Sequence, residues 1–599
     1  MRKATVIMVA ILLASAAMAG THMVRSHLPM GTSKNMSVDI AGLSAKLTAL
    51  YGSAATSSYL GSEVCLACHN GKNGLDDQST WKHTRHSQFL RRPMGQYTLV
   101  DGQGVIANQA KGTQDDFMMG LDLATIPAFS AYGANAPKLS YDASTDTYWM
   151  QVGVLKCQVI ATLAGSSGQD GQRYIVRVPV TDTDTKLSKA IYYGPATYSR
   201  TLGWQPASST GGGWYTSSLT PKFDATATSS QLVASGGPTS HTANCVGCHV
   251  TGIRALGKTA AGEATYKGFY AVLFNANDPD YIDYNGDGNY ILTNIGCESC
   301  HGPGAQHVLG GGDPTKIVNP ANLTGAQASE ICGRCHISIK SAPGKVYSWP
   351  YDDANMVDWI PRYDTWVPLA TAFVPTYTYW GDGKLPSGHL RPYDYYQLSA
   401  HAATHYGQNG SSEPCSVCHD AMDKQQDAQI TTSITDARSG LVIPTSADND
   451  TLCLACHATH GAFANITKAQ VADFANNRDA IGTVVSAHTN HPFAPERIMG
   501  LSRCTECHMS STGNHTFIPT RPEDTLTYMN SGVKDANGNY VGYPNACADS
   551  CHNTRVNIFN LGLNPNPSTW TKSYDNSLAS ILVTYYGPGG TWWNTTPTP

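Results

Sequence analysis

Apolar and polar residues alternate along two stretches of the chain, "TYWMQVGVLKCQVI" and "RYIVRVPV". Such alternation puts every second side chain on the same face, which predicts β-strands with one buried face. Both stretches lie within residues 96–235, so we expect that segment to form a mostly β insert. Residues 346–395 have a different pattern, rich in Tyr, Trp, Pro and Asp, which predicts a long ordered loop.

A continuous apolar run, "ATVIMVAILLASAAMA", begins the chain after two basic residues. It ends in an Ala-Met-Ala sequence at Ala19, which predicts a cleaved secretory signal peptide over residues 1–19. The run is too short for an uncleaved anchor, and no later run is long and apolar enough to span a bilayer. We therefore expect a protein exported to the periplasm or to the cell surface.

Charged residues make up 14% of the chain, against roughly 25% in an ordinary soluble domain. Small polar residues and tyrosines take their place, which suits an exported protein and one that assembles with copies of itself. The net charge of -5 is mild and argues against nucleic acid as a partner.

The 17 cysteines give the strongest chemical signal. Cys-x-x-Cys-His occurs seven times, far above chance; these are called the first to seventh motifs in chain order. They are Cys65/Cys68/His69, Cys245/Cys248/His249, Cys297/Cys300/His301, Cys332/Cys335/His336, Cys415/Cys418/His419, Cys453/Cys456/His457 and Cys504/Cys507/His508. Disulfides or zinc would not require a histidine after every pair. Two thiols that bond the haem vinyl groups, followed by a histidine facing the iron as proximal ligand, do require this order.

An eighth motif is looser, with three residues between Cys547 and Cys551 before His552. A bulged loop still lets both thiols reach the vinyl groups, so we expect eight haems c. This leaves Cys157, in a strand-like stretch, which is most simply a buried core thiol.

The histidines are numerous enough to provide a second ligand for every haem. Of 21, eight belong to the motifs, and His22 and His27 follow the cleavage site. Eleven remain: His83, His86, His241, His307, His389, His401, His405, His460, His488, His491 and His515. Ligation by two imidazoles leaves no open iron position, lowers the potential relative to Met/His ligation and favours electron transfer.

Several segments resemble a family. The sequences "NCVGCHVTG", "IGCESCHGPGAQH" and "NPANLTGAQASEICGRCH" are similar to multihaem cytochromes related to the tetrahaem cytochrome of ammonia oxidisers and to hydroxylamine oxidoreductase. So are "CLACHN" followed by "TWKHTRHSQF", and "AHTNHPFAPERIMGLSRCTECHM" followed by "NHTFIPTRP". The resemblance covers roughly residues 60–95, 240–345 and 395–575.

The resemblance implies distal ligands from outside each motif. It assigns that role to His86 in preference to His83, and to the histidine after the Gly-Pro-Gly turn, His307, on a different haem. Carried over in full, the distal candidates are His86, His307, His491, His515 and either His401 or His405, with His401 preferred. His241 and His460, which lie near motifs, complete the candidate set.

Two departures weaken an enzymatic interpretation. Related nitrite reductases carry a catalytic haem with lysine as proximal ligand, and no Cys-x-x-Cys-Lys occurs here. The eighth motif also carries its extra residue. The signal peptide, low charge and Tyr-rich loops look more like outer-surface cytochromes of metal-reducing bacteria, some of which polymerise into filaments.

The expected fold is a multihaem cytochrome c of short α-helices and loops around a haem chain, with a haem-free β-rich insert. The expected segments are a signal peptide (1–19), the first haem (20–95), the insert (96–235), haems two to four (236–345), the aromatic-rich loop (346–395) and haems five to eight (396–599).

A calcium site is a further hypothesis. "DYNGDG" places Asp283, Asn285 and Asp287 at alternate positions, as at the start of a calcium-binding loop. The twelfth position is Asn294, where such a loop has Glu, so a solvated turn is the alternative.

Three functions remain open from sequence. The first is electron transfer between bis-His haems in periplasmic or extracellular respiration, with redox partners of the periplasm or outer membrane and an extracellular metal acceptor. The second is an oxidoreductase for a nitrogen or sulfur oxyanion at one open haem. The third is a filament subunit, in which His27 ligates a haem of a neighbouring protomer.

Overall fold

The computed structural model describes much of the chain, in separate ranges. These are residues 40–52, 59–70, 80–93, 123–142, 144–145, 147–163, 172–181, 190–199, 203–208, 210–234, 236–258, 264–267, 281–283, 291–292, 294–337, 339–340, 362–366, 368–369, 374–375, 392–403, 415–422, 429–489, 503–509, 514–530, 545–547 and 579–584. The predicted signal peptide, His27, Asn285, Asp287, His405, His491, Cys551 and His552 lie outside the described residues.

A seven-stranded antiparallel sheet is the largest element of the fold. Its strands are β1 (Leu90–Arg91), β2 (Lys138–Asp142), β3 (Thr147–Val152), β4 (Leu155–Leu163), β5 (Gln172–Arg177), β6 (Ile191–Ser199) and β7 (Gly203–Pro206). Strands β2 to β7 follow one another in chain order, and β1 pairs with the end of β4. The predicted β-rich insert is confirmed, and it takes one short strand from the segment of the first motif.

The sheet forms where the sequence alternates. In β3 the side chains of Tyr148, Met150 and Val152 are buried, and those between them are partly exposed. Val152 pairs with Leu155, which leaves a two-residue turn beginning at Gly153 with a φ of 58°. This left-handed conformation suits tight hairpins and is open to glycine without steric cost.

Both faces of the sheet are covered. On one face Tyr174 and Val176 pack in an aromatic-rich core that also contains Cys157, buried as predicted. On the other face Ile175 packs with Val246, which lies within the second motif, and with Val250, which follows it. The second motif thus packs against this face of the sheet.

Helices make up most of the remaining structure and are short. The α-helices are Ile40–Tyr51, Ser62–Leu66, Arg85–Gln88, Ser229–Val233, His241–Asn244, Val246–His249, Cys297–His301, Ala305–Leu309, Gly325–Gly333, Pro392–Gln397, Ala400–Ala403, Thr451–His457, Lys468–Ala472, Phe474–Thr489, Cys504–His508 and Pro522–Asn530. Single turns of 3₁₀-helix or slightly longer segments are Trp81–His83, Leu123–Thr125, Pro127–Asn135, Gly211–Gly213, Pro314–Lys316, Pro320–Asn322, Cys415–Val417 and Gly461–Phe463. The predicted fold class, short helices and loops with a β-rich insert, is confirmed.

Four two-stranded ladders complete the described strands. They pair Arg254–Lys258 with Ala264–Lys267, Tyr281–Ile282 with Ile291–Leu292, Ile339–Lys340 with Val374–Pro375, and Ser433–Thr435 with Val442–Pro444. The last ladder supplies Ile443 to a separate small core around Leu454, Ile481 and Val485. This core supports the sixth motif and the long helix Phe474–Thr489.

Helix length and polarity also bear on membrane insertion. Within the part of the chain that the structure describes, every helix is too short or too polar to cross a bilayer.

Candidate haem-binding sites

The first, fourth and fifth motifs each contain a helical turn closed by their own histidine. The backbone N–H of His69 donates to the carbonyl of Cys65 at 2.9 Å, and His336 and His419 make the same bond within their motifs at 3.0 Å. Residues three and four apart share one face of a helical turn. The turn therefore presents both thiols and the imidazole on the same side, as attachment and ligation of one haem require.

Four motif histidines lie opposite a histidine from elsewhere in the chain. The ring centroids are 6.2 Å apart for His86 and His336, 6.1 Å for His419 and His515, 6.0 Å for His401 and His457, and 6.5 Å for His488 and His508. Every pair joins one motif histidine to one that belongs to no motif. The structure thus brings His86, His401 and His515 opposite motif histidines, with His86 at the fourth motif and not at the first, and their role as distal ligands stays a prediction.

The spacing fits an iron between the rings. Two nitrogen–metal bonds of about 2.0 Å, with about 1.1 Å from each nitrogen to its ring centroid, place two axial imidazoles about 6.3 Å apart. Aromatic rings in direct contact span about 4.5–7 Å, so distance alone does not decide. The identity of the paired residues distinguishes ligation from direct packing. Direct packing would not be expected to pair one motif histidine with one other histidine four times.

A fifth pair is closer together. The centroids of His241 and His249 are 5.5 Å apart, and Nε2 of His241 lies 3.3 Å from Nδ1 of His249. Two ligand nitrogens across one metal need about 4 Å, so iron ligation requires a small outward shift of one ring. The pair stands against the sheet, where the Tyr193 hydroxyl contacts the Cys245 sulfur at 3.3 Å.

Burial keeps these imidazoles neutral. It lowers the pKa of His336 to about 4, with smaller contributions from His86 and His419, and it lowers the pKa of His249 to about 4. It also lowers the pKa of His86 and, more strongly, of His241. Only the neutral imidazole has a free lone pair for a metal, so the buried rings are in the form that coordinates iron.

Backbone hydrogen bonds fix the orientation of several other histidines. Nδ1 of His301 donates to the carbonyl of Val318 at 2.8 Å, and Nδ1 of His307 donates to that of Asp313 at 2.8 Å. A donor at Nδ1 leaves Nε2 unprotonated and available to a metal. Among the described residues no second imidazole ring contacts that of His307, so its predicted role on another haem stays a prediction. The exposed His460 likewise donates from Nδ1, to the carbonyl of Ala458 at 2.9 Å.

Thiols of different motifs meet in pairs. A hydrogen bond with Cys297 and burial raise the pKa of the Cys65 thiol well above its ordinary value. A hydrogen bond with Cys248 does the same for Cys335, again with burial. The first motif therefore adjoins the third, and the second adjoins the fourth.

Two more thiol contacts extend this network. Hydrogen bonds raise the pKa of Cys332 through Cys415 and that of Cys504 through Cys453, with burial adding to both. The fourth motif thus adjoins the fifth, and the sixth adjoins the seventh. Burial raises the pKa of Cys300 to about 12, with electrostatic contributions from thiols of the fourth and third motifs, so these two motifs are also neighbours.

The second thiols of the first, fifth, sixth and seventh motifs are exposed or half-buried. The motifs predict haem thioether bonds at Cys68, Cys418, Cys456 and Cys507, but Cys68 and Cys456 are exposed, and Cys418 and Cys507 are only half-buried. A thioether sulfur lies at the porphyrin edge, so the haem itself would cover these positions and little protein is needed there. None of the four forms a disulfide, the alternative for paired thiols. Haem attachment at these four thiols stays a prediction, as it does at the half-buried Cys547 of the eighth motif.

Glu298, between the two thiols of the third motif, is a functional residue that the sequence reasoning missed. Its side chain is buried, and it accepts hydrogen bonds from the backbone N–H groups of Leu60 at 2.9 Å, Gly61 at 2.8 Å and Gly304 at 2.7 Å. It holds the start of the first motif's helix and the Gly-Pro-Gly turn against the third motif. Gly302, with a φ of 74°, begins that turn.

Asp450 and Phe517 link the later motifs, and they were also missed. Asp450 accepts from the backbone N–H of Cys504 at 2.8 Å and precedes the helix of the sixth motif. The carbonyl of Phe517 accepts from Nδ1 of His508 at 2.6 Å, and its ring centroid lies 4.3 Å from that of His401. The same ring lies 5.8 Å from that of His515, which faces the fifth motif. No short-range sequence signal marks these contacts.

The predicted calcium loop is described only at its first residue. The guanidinium of Arg177, at the end of β5, donates to the backbone carbonyl of Asp283. Asn285 and Asp287 lie outside the described residues, so the calcium site stays a prediction.

No protein-family model and no curated protein matches the chain. Two solved structures resemble its fold. The outer cell wall cytochrome OcwA has a TM-score of 0.41 and 17% sequence identity, over 88% of this chain and 86% of that protein. An undecaheme cytochrome from the S-layer of Carboxydothermus ferrireducens has a TM-score of 0.31 and 16% identity, over 88% of this chain and 66% of that protein. Both similarities are thus at low sequence identity.

Proposed function

We propose that the chain is an octahaem c-type cytochrome that carries electrons along haems ligated by two histidines. One observation carries the proposal. Four motif histidines each face a non-motif histidine, with ring centroids 6.0–6.5 Å apart. Haem iron held between two imidazoles supplies one-electron transfer and has no vacant position for a substrate.

The protein residues have two tasks in this function. The thiols and the motif histidine of each site would hold one haem, and the facing histidine would be the second ligand of its iron. The contacts between thiols then set neighbouring attachment sites side by side. They connect the first, third, fourth and fifth motifs in one series, with the second motif beside the fourth.

Phe517 connects the fifth motif to the sixth in this series. Its ring lies between His515, which faces the fifth motif, and His401, which faces the sixth. The sixth and seventh motifs are in turn joined by Cys453 and Cys504. The described motifs therefore form one connected series, as a protein that moves electrons over a distance requires.

Export supports the proposed setting. The predicted signal peptide and the low charged fraction suit a periplasmic or cell-surface carrier, whose donor is a periplasmic redox protein and whose acceptor is an outer-membrane protein or an extracellular metal. Formation of filaments through His27 belongs to the same setting, and replacement of His27 by Ala tests it. If assembly is unchanged, His27 is not an inter-protomer ligand.

Haem counting combined with electron paramagnetic resonance (EPR) tests the proposal. Pyridine haemochrome quantitation should give eight haems per chain, and the ferric protein should show low-spin signals alone. Cyanide and nitrite should leave the spectrum unchanged. A high-spin signal that shifts on addition of either anion would overturn the proposal and favour an oxidoreductase with an open haem.

A further inference from the structure

We propose that His488 is the second axial ligand of the haem attached at the seventh motif, opposite His508, and that the two rings lie nearly parallel. The inference rests on the proposed function and deepens it. The resemblance directed attention to His491, three residues further on, and His488 was not among the predicted ligands.

The geometry of the pair fits two ligands of one metal. The ring centroids of His488 and His508 are 6.5 Å apart, with an angle of 10° between the ring planes. Packed aromatic rings also span about 4.5–7 Å between centroids, so the distance alone does not decide. The separation is close to the roughly 6.3 Å that a metal between two imidazoles requires, and the partner of His488 is again a motif histidine.

Each ring is held in position by other groups. Nδ1 of His508 donates to the carbonyl of Phe517 at 2.6 Å, which leaves Nε2 for a metal. His488 projects from the last turn of Phe474–Thr489, a helix anchored in the core by Ile481 and Val485. The ring of Phe463 packs edge-on against His488 with centroids 5.0 Å apart.

The other candidate histidines near the sixth and seventh motifs have different contacts. His460 donates from Nδ1 to the carbonyl of Ala458, and the ring facing His457 is that of His401. His491 lies outside the described residues. Helix Phe474–Thr489 presents His488 to the seventh motif directly, with no rearrangement of the chain.

Ring orientation gives the pair a spectroscopic signature. Parallel imidazole planes donate π-electron density into the same iron d orbital and separate it in energy from its partner, which produces a rhombic low-spin signal. Perpendicular planes donate into one orbital each and leave the two nearly equal, which produces a strongly axial signal with a large maximum g-value. The pairs His86/His336 and His401/His457, at 76° and 73°, belong to the second kind.

The test is EPR of the full-length ferric holoprotein carrying His488→Ala. One rhombic low-spin component should disappear, one high-spin component should appear, and the haem count should be unchanged. The large-g components should persist. In the comparison variants His491→Ala and His460→Ala, that rhombic component should persist. His401→Ala should instead remove a large-g component.

Two further measurements keep the test decisive if His488→Ala folds poorly. His488→Gly with added imidazole should recover the rhombic component, and His488→Met should stay low-spin while the potential of one haem rises. An unchanged spectrum in His488→Ala, or loss of the rhombic component in His491→Ala, overturns the inference. A high-spin haem in the wild-type protein would contradict the proposed function instead, so the two failures are distinguishable.

Discussion

Glu298 shows how a residue within a haem motif also organises distant backbone. Its buried carboxylate accepts backbone hydrogen bonds from Leu60, Gly61 and Gly304, so three donors depend on one side chain. We expect Glu298→Gln to lower the free energy of unfolding by about 1–3 kcal/mol, because an amide leaves buried donors unpaired. Denaturant unfolding followed by circular dichroism measures this.

Glu506 offers the matched control for that substitution. It lies between the two thiols of the seventh motif, but its partner is the partly exposed Arg503, at 2.9 Å. Such pairs contribute about 0–1 kcal/mol, so Glu506→Gln should change the stability little. Equal losses in the two variants would show that Glu298 has no special structural role.

The buried carboxyl of Asp450 should make the stability of the protein depend on pH. Burial raises the pKa of this carboxyl above its ordinary value, against the opposing effect of the Cys504 hydrogen bond. Because the folded pKa exceeds the unfolded one, its contribution to stability is present below the unfolded pKa and is lost as the pH rises through the folded pKa.

Asp450→Asn removes that charge and keeps an oxygen that accepts from Cys504. We therefore expect the thermal stability of the variant, relative to the wild type, to increase as the pH rises from below about 3.9 to 7. Melting temperatures across that range measure the difference. A difference that does not vary with pH would show that the carboxyl titrates normally.

Phe517 carries backbone strain at a functional contact. Its φ is 59°, a left-handed conformation that costs a residue with a side chain about 1–2 kcal/mol. Its carbonyl and ring both contact histidines of the proposed haem sites.

Both Phe517→Ala and Phe517→Gly lose the ring, but only Gly relieves the strain. We expect the Gly variant to be the more stable of the two by about 1 kcal/mol in denaturant unfolding. The reverse order would show that the conformation is not strained.

At the scale of elements, helix Phe474–Thr489 connects a small core to the proposed haem site of the seventh motif. Ile481 is buried in that core, whereas Thr483 on the same helix is exposed. Ile481→Ala should cost about 2–5 kcal/mol in unfolding free energy, because it leaves a cavity. It should also broaden the rhombic EPR component, because His488 loses its rigid support. Thr483→Ala should change neither. A narrow signal in a destabilised Ile481→Ala variant would show that the core does not position His488.

Some elements of the structure could be predicted from the sequence, and others could not. The motif turns were predictable because attachment chemistry fixes two thiols and a histidine within five consecutive residues, as in Cys332 to His336. The strands were predictable because β3 and β4 alternate in burial. The second ligands were harder. His86 reaches His336 across a long stretch of chain, and His488 reaches the seventh motif only through the course of its helix.

At the scale of the whole molecule, the fourth motif is a junction. Its thiols contact those of the second and fifth motifs, and the third lies nearby. The seventh motif contacts the sixth through the thiols of Cys504 and Cys453. Removal of the fourth attachment site should therefore divide the series, whereas removal of the seventh should leave the first six sites connected.

The variants Cys332→Ala/Cys335→Ala and Cys504→Ala/Cys507→Ala test this difference, since each removes one haem. After rapid partial reduction of the purified proteins, we expect electron equilibration within the first variant to become biphasic with a slow phase. Equilibration in the second should remain similar to that of the wild type. Identical kinetics in the two variants would show that the fourth site is not a junction.

The contact between Glu298 and Leu60 has a consequence for how the protein is made. The two residues are 238 positions apart, so their contact forms only after the third motif has been synthesised. Contacts of such long range require closure of a long loop and form slowly. We therefore expect the thiols of the first motif to stay accessible to an attachment enzyme until Glu298 closes the segment. The order of maturation, and not only the final architecture, would then depend on this carboxylate.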